Sequence, residues 1–427
     1  MKITFSTPKR GWLRRTISEA LKQLRFESGH LLAVPLIPLS ETIEKSLTKT
    51  EREFLERAIG ERPLLVSIYC FIVEEVNSEV EAGAIKDLML TELALYRDPE
   101  TAADRIISML ESLPLQYRGS LMLPESMVDS FREQGWNNVR SERINLVGSW
   151  EQDADQFPAV KRATSFSGAL DFAFMRTQEE GGETLGLHIT VDGYATEVLP
   201  TRPIETAVSM VKSLFGLFIA VGVCRTMQFP GIRAYAPWMD IYRAEEIRAR
   251  LRGEVLDVSD ANLLNRLFFT KPTEARLEKM KQIIDLVSRT TEPDPLVLAG
   301  RWLFESYANR DEAMAFMQAA IVLEVLLGEE SEKEGAGLTS LLANRCAYMI
   351  AGSRDERQEI LKAFRSIYDT RSRIVHAGKA SLTMDQKTQY FELQKLCDRV
   401  VRAELAALRG EGARRAQALA EALRETD

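Results

Sequence analysis

Tyr368-Asp-Thr-Arg-Ser-Arg-Ile-Val-His376 is the stretch on which the reading of this chain turns. It closes a long helical pattern whose apolar stripe is Ile360, Phe364, Ile367 and Ile374. At about 100° per residue Arg371 falls in the middle of that stripe, while Lys362, Arg365, Asp369 and Arg373 fall on the opposite face. A guanidinium in such a place is either paired in the core or aimed at an anion across an interface, because an unpaired buried charge is costly. His376 follows five residues later and Gly378 offers a helix stop. An arginine and a titratable imidazole at one helix end make a candidate phosphate-cleaving site.

The same region reads as helix throughout. Periodicity places helices over 295–308, 311–328, 337–351, 355–377 and 384–409, with a polar tail over 412–425. Thr290-Thr-Glu-Pro-Asp-Pro295 precedes them, a linker with two prolines and no apolar side chain. Residues 290–427 therefore have the size of one helical bundle domain. The 311–328 segment is apolar on every side, which predicts the central helix. Glu324 sits inside it, and Arg345 lies on the stripe formed by Leu338, Leu341, Leu342 and Met349. Three neighbouring helices thus each place one charge on an apolar face, and one carboxylate cannot fully serve two guanidiniums. The expectation is a structural Glu324–Arg345 pair that leaves Arg371 for an external anion. In the alternative, Glu324 binds Arg371 and nothing catalytic is present.

Residues 1–289 read as a mixed α+β region with a break near 144–150. Residues 1–60 look helical around the apolar Leu31–Pro38, and 63–76 is a strand or the start of a helix. Further helices are predicted over 85–113, 121–136, 203–224, 243–252, 259–268 and 272–288. Leu185–Val191 is rich in β-formers, and Asp192-Gly193 predicts a turn into Tyr194–Leu199, a hairpin or meander. The fold class is therefore mainly α, an α+β N-terminal region followed by an all-α bundle.

Composition narrows the function. The net charge of −8 argues against a general nucleic-acid coat. Yet residues 361–379 carry Lys362, Arg365, Arg371, Arg373 and Lys379 against Asp369 alone, a local charge of +4. Arg365, Arg373 and Lys379 are the candidate RNA contacts, with a solvated face as the alternative for Arg365 and Arg373. The four cysteines, Cys70, Cys224, Cys346 and Cys397, are far apart and have no neighbouring histidine. That pattern predicts neither zinc nor a disulfide framework, no cofactor, and a reducing cytosol. The start lacks the apolar core of a signal peptide, and the apolar run Ser213–Cys224 is short of the ~20 residues that span a bilayer. His188, in a β-rich run, reads as structural. The spacing Arg-x4-His is weak by itself, since Arg25-Phe-Glu-Ser-Gly-His30 repeats it in a loop-like setting.

The neighbours of Arg371 carry more. Ile321-Val-Leu-Glu-Val-Leu-Leu-Gly328, Leu341-Leu-Ala-Asn-Arg-Cys-Ala-Tyr348 and Ile367-Tyr-Asp-Thr-Arg-Ser-Arg-Ile-Val-His-Ala-Gly378 together resemble the HEPN superfamily, specifically the C-terminal domain of ApeA-like HEPN proteins. The resemblance covers about 290–410, and residues 1–289 resemble nothing nameable. It implies a dimeric, metal-independent endoribonuclease acting in antiphage defence or as a toxin, with Arg371 and His376 as the catalytic pair and Ser372 as its polar neighbour. The chemistry suits these residues. Histidine can take the proton from the RNA 2′-hydroxyl or protonate the leaving 5′-oxygen, and a guanidinium stabilises the charge developing on phosphorus. The bundle holds one histidine, so acid–base work by two imidazoles needs a second copy of His376 across a two-fold interface. Residues 1–289 would sense a trigger, bind a protein partner or restrain the nuclease. The competing class is a non-catalytic dimerisation or RNA-binding module serving that N-terminal region.

Overall fold

Helix starts in the C-terminal region follow from the residues at their caps. Asp294 accepts from the backbone N–H of Leu296 at 2.8 Å and of Val297 at 3.3 Å, with Pro295 in the first turn of helix Pro295–Ala308. Asp311 does the same for Glu312–Leu327. Thr383 and Gln386 form a capping box that opens Met384–Ala407. Leu338–Ile350 and Arg354–Ala377 complete the set. The structure, a computed structural model, describes residues 2–79, 87–151, 156–158, 183–199, 201–227, 238–246, 250–289, 294–328, 337–377, 381–408 and 410. The protein is mainly α-helical with small antiparallel sheets.

The chain divides into two units. The first comprises Met1–Ser120, Ile189–Ala207 and Met239–Glu254. Its helices Thr7–Leu21, Leu36–Ser46, Lys49–Ile59, Pro63–Glu79 and Pro99–Ser112 bury one apolar core that includes Leu13, Ile17, Ile43, Ile68, Ile106 and Leu110. Residues 63–79 are thus helix rather than strand. Strands Arg25–Glu27 and His30–Leu31 pair antiparallel, with Ser28 and Gly29 at positive φ in the turn. That hairpin accounts for the Arg25/His30 spacing. Strands Arg250–Val255, Trp238–Arg243, Leu115–Met122 and the Ile189–Gly193 part of Leu185–Gly193 follow in that order.

Two expectations fail in this region. Asp192-Gly193 is not a hairpin turn, because the strand runs on through Gly193. The glycine answers a close approach instead: a Cβ there would overlap the Ala58 carbonyl oxygen and the Pro203 ring. The helix expected over 243–252 is not formed; Trp238–Arg243 and Arg250–Val255 are strands. The Arg and Glu residues there mimic a helical face, and strand pairing overrides that local preference.

The second unit comprises Leu121–His188, Val208–Trp238 and Val255–Asp427. The Leu185–His188 part of its strand is followed by Ile144–Gly148 and Val139–Arg140, and Leu267–Phe269 pairs with Cys224–Thr226. Glu312–Leu327 is the central bundle helix, burying Phe316, Ala319, Ala320, Val322 and Leu323. His188 is buried and stacks on Phe157 at 4.7 Å, the structural role its β-rich setting predicts.

The expected division at residue 290 is not where the chain divides, since 208–238 and 255–289 belong with the bundle. Gly216 and Gly300 show why. Helix Arg202–Val221 and helix Pro295–Ala308 meet backbone to backbone, so a Cβ on Gly216 would overlap the Gly300 carbonyl, and one on Gly300 would lie 2.7 Å from the Ser213 oxygen. Gly216→Ala is accordingly expected to destabilise this unit by about 3 kcal/mol, read as a fall in Tm; an unchanged Tm would contradict the close approach. Arg202–Val221 is also long and apolar enough to cross a membrane, but 67% of its apolar window is buried inside the protein, as for a core helix.

One half-buried acid gives the bundle an expected dependence on pH. Oδ1 of Asp398, on Met384–Ala407, is shielded from solvent without a hydrogen bond to any described residue. Burial pushes this carboxyl up to about 7, against a smaller opposing effect of Arg402. The unfolded chain releases the same proton near pH ~3.9. The stabilising contribution is therefore complete below that value and is lost as pH rises through the folded pKa. Asp398→Asn should be more stable than wild type at pH 8 by on the order of 2 kcal/mol in urea unfolding, with no such gain at pH 4. Equal stability at pH 8 would contradict it.

Candidate active site

Helix Arg354–Ala377 carries the site residues on two different faces. Ile360, Phe364, Ile367 and Ile374 are buried, as the periodicity predicts. Thr370 is fully buried among them. Tyr368 stacks on Phe364 with ring centroids 4.6 Å apart, and its hydroxyl is buried without a hydrogen-bond partner among the described residues. Burial first, and the Glu324 carboxylate second, hold that phenol above its ordinary pKa.

Arg371 lies on this apolar side and meets Glu324. Nε stands 2.8 Å from Oε1, and Nη2 donates to Oε2 at 3.2 Å. The Nε contact is ionic rather than directional, since the Nε–H finds no aligned acceptor. The guanidinium also sits over the Tyr368 ring at 6.0 Å. About a third of each partner stays exposed, 32% for Arg371 and 28% for Glu324. Nη1 makes no hydrogen bond to a described residue, so one edge of the guanidinium is held and the other is open.

The expected Glu324–Arg345 pair is therefore not the one that forms. Arg345 Nη1 donates at 2.8 Å to the carbonyl of Leu327, in the last turn of the central helix. A helix end leaves carbonyls without intrahelical partners, and a guanidinium is a suitable donor to them. With Arg345 placed one turn beyond Glu324, the carboxylate is left to Arg371.

His376 faces elsewhere. Five residues of α-helix turn the chain by about 140° between Arg371 and His376, whereas Arg373 and His376 are only about 60° apart. Arg373 and His376 accordingly line one open cavity of about 460 Å³, together with Ile374, Ser381, Thr383, Asp385, Gln386 and Gln389 among the described residues. Arg373 is held in place: Nη2 donates to Thr370 Oγ1 at 2.8 Å and Nε to the Asp369 carbonyl at 3.3 Å. Thr370 in turn donates to Gln389 Oε1, and Gln389 Nε2 donates to Ser366 Oγ at 2.8 Å. This chain of bonds runs from one helix to the next and fixes a cation at the cavity wall. The structure thus brings together Arg373 and His376, sets Arg371 on the neighbouring face with Glu324, and leaves Ser372 and Arg365 exposed. Lys379 and Gly378 lie outside the described residues.

Sequence reading missed the other wall of the cavity. Asp385, Gln386 and Gln389 sit in the first turns of Met384–Ala407, where they read as ordinary polar helix residues. The Thr383-x-x-Gln386 capping box was the available signal, since it starts that helix next to His376 and points its first turn there. Among the described residues no group of three or more His, Cys, Asp and Glu side chains is arranged to hold a metal ion.

Comparison with protein-family models, with curated proteins and with solved structures returns no match for this chain.

Proposed function

We propose that the chain is a metal-independent HEPN-type endoribonuclease whose active centre forms at the end of helix Arg354–Ala377, with an exposed imidazole beside an anchored guanidinium at the edge of a polar cavity. That juxtaposition of His376 and Arg373 carries the reading. A 2′-hydroxyl attacks the adjacent phosphorus and gives its proton to one imidazole. The P–O5′ bond breaks and the leaving oxygen takes a proton from a second acid, so the products are a 2′,3′-cyclic phosphate and a 5′-hydroxyl. His376 supplies one of these groups and its copy on a second protomer the other, in a homodimer formed through the bundle. Arg373 and the open Nη1 edge of Arg371 stabilise the charge on the phosphoryl oxygens, with Glu324 setting the angle of the Arg371 fork. Arg365 and Lys379 serve as further RNA contacts, with Ser372 as the polar neighbour of Arg371. Four free, buried cysteines are compatible with action in a reducing cytosol. The first unit, Met1–Ser120, Ile189–Ala207 and Met239–Glu254, restrains or triggers the nuclease, and the defence or toxin role rests on the resemblance alone.

The test is to incubate the purified full chain with RNA in EDTA and analyse the fragment ends. Fragments ending in 2′,3′-cyclic phosphate support the proposal; cleavage that requires added Mg²⁺ sinks it.

A second reading is favoured by one observation, the Arg371–Glu324 pair, which is what a structural arginine would make. The bundle would then be a non-catalytic dimerisation or RNA-binding module for the N-terminal region.

A further inference from the structure

Two ionisable side chains in the cavity stand apart from its hydrogen-bonded wall, as does the small Ser381 hydroxyl. His376 and Asp385 make no hydrogen bond or ion pair with described residues. Their neighbours are engaged: Arg373 with Thr370, Gln389 with Thr370 and Ser366, and Gln386 with the backbone of Thr383. A fixed wall, a cationic side and an unpartnered carboxylate together fit a ligand that is anionic at one end and bears N–H donors at the other. The volume, about 460 Å³, is in the range of sites that hold one small ligand.

We infer that the cavity takes a single guanine nucleotide of the RNA, its phosphate against Arg373 and His376 and its Watson–Crick edge on the Asp385 carboxylate. The inference rests on RNA being the substrate proposed above. Among the four bases only guanine sets two N–H donors, N1–H and the 2-amino group, side by side. They match the two oxygens of a carboxylate, which can only accept. Adenine and cytosine present an amino group beside a ring-nitrogen acceptor, and uracil presents one N–H between two carbonyls. Each of these sets at least one lone pair against the carboxylate. No Phe, Tyr or Trp side chain lines the cavity among the described residues, and the His376 ring is assigned to the phosphate, so selection falls to hydrogen bonds rather than to base stacking. Asp385 also lies in the first turn of its helix, where an acid favours the helix dipole; that role alone would leave nucleotide binding unaltered when the charge is removed.

The test is calorimetric titration of the full chain, in EDTA, with 3′-GMP, 3′-AMP, 3′-CMP, 3′-UMP and inorganic phosphate. Wild type should bind 3′-GMP at least tenfold more tightly than the other three nucleotides. Asp385→Asn should bring 3′-GMP down to their level while leaving phosphate within twofold. Equal affinity for all four, a guanine preference that survives Asp385→Asn, or no saturable binding of any nucleotide would each overturn the inference. Binding needs no turnover, so these outcomes are distinct from a failure of the nuclease proposal, which is read from fragment ends.

Discussion

Replacing His376 with alanine is expected to lower the rate of RNA cleavage by at least about 1,000-fold. The imidazole is the bundle's one histidine side chain, since the chain's other histidines, His30 and His188, lie in strands well away in sequence. In the proposed homodimer its copy on a second protomer changes with it, so the substitution would remove both the acid and the base. The side chain is exposed, and truncating an exposed side chain changes stability by about 0.5 kcal/mol or less. Loss of activity should therefore come with an unchanged Tm, measured on the same preparation by single-turnover cleavage and thermal unfolding. Cleavage that persists within tenfold of wild type would move the chemistry away from this helix.

Arg371→Lys is the second large expectation, and it separates the two readings of the bundle. Lysine keeps the charge but loses the planar fork that spans Glu324 on one edge and offers Nη1 on the other. If the open edge stabilises the phosphoryl group, the cleavage rate should fall by about 100-fold, as for removal of one preorganised donor. The stability cost should be small. Both partners are about one-third exposed, so the pair contributes on the order of 1 kcal/mol, well under the cost of breaking a fully buried pair. Glu324→Gln should show the same small loss of stability and a milder loss of rate, because the guanidinium stays but its orientation is no longer fixed. The opposite pattern, a clear fall in Tm for both variants with wild-type cleavage, would make Arg371 a structural residue and favour the non-catalytic module.

The bundle was legible in the sequence because its signals are local. Asp294, Asp311 and Thr383 cap helices where they stand, and Ile360, Phe364, Ile367 and Ile374 repeat at helical spacing. Arg371 was equally legible as a charge on an apolar face. Its partner was not, because the choice between Arg345 and Arg371 depends on where the central helix ends, and Arg345 is drawn to the Leu327 carbonyl found there. The strands Trp238–Arg243 and Arg250–Val255 were missed for a related reason. Strand identity comes from pairing partners distant in sequence, while their own charged residues follow a helical pattern. Gly193 and Gly216 stand where backbones approach closely, a property no single sequence discloses. The division of the site onto two faces follows from helix geometry alone, since the chain stays helical through His376 to Ala377 instead of stopping between the two residues.

The most direct measurement uses the substrate rather than the protein. An RNA carrying a single 2′-deoxynucleotide immediately 5′ to a mapped cleavage point has lost the hydroxyl that the mechanism requires as nucleophile. Wild-type protein in EDTA should leave that bond intact while cutting the all-ribose control at the same position. Continued scission at the deoxy position would contradict attack by the RNA's own sugar and would end the HEPN-type assignment.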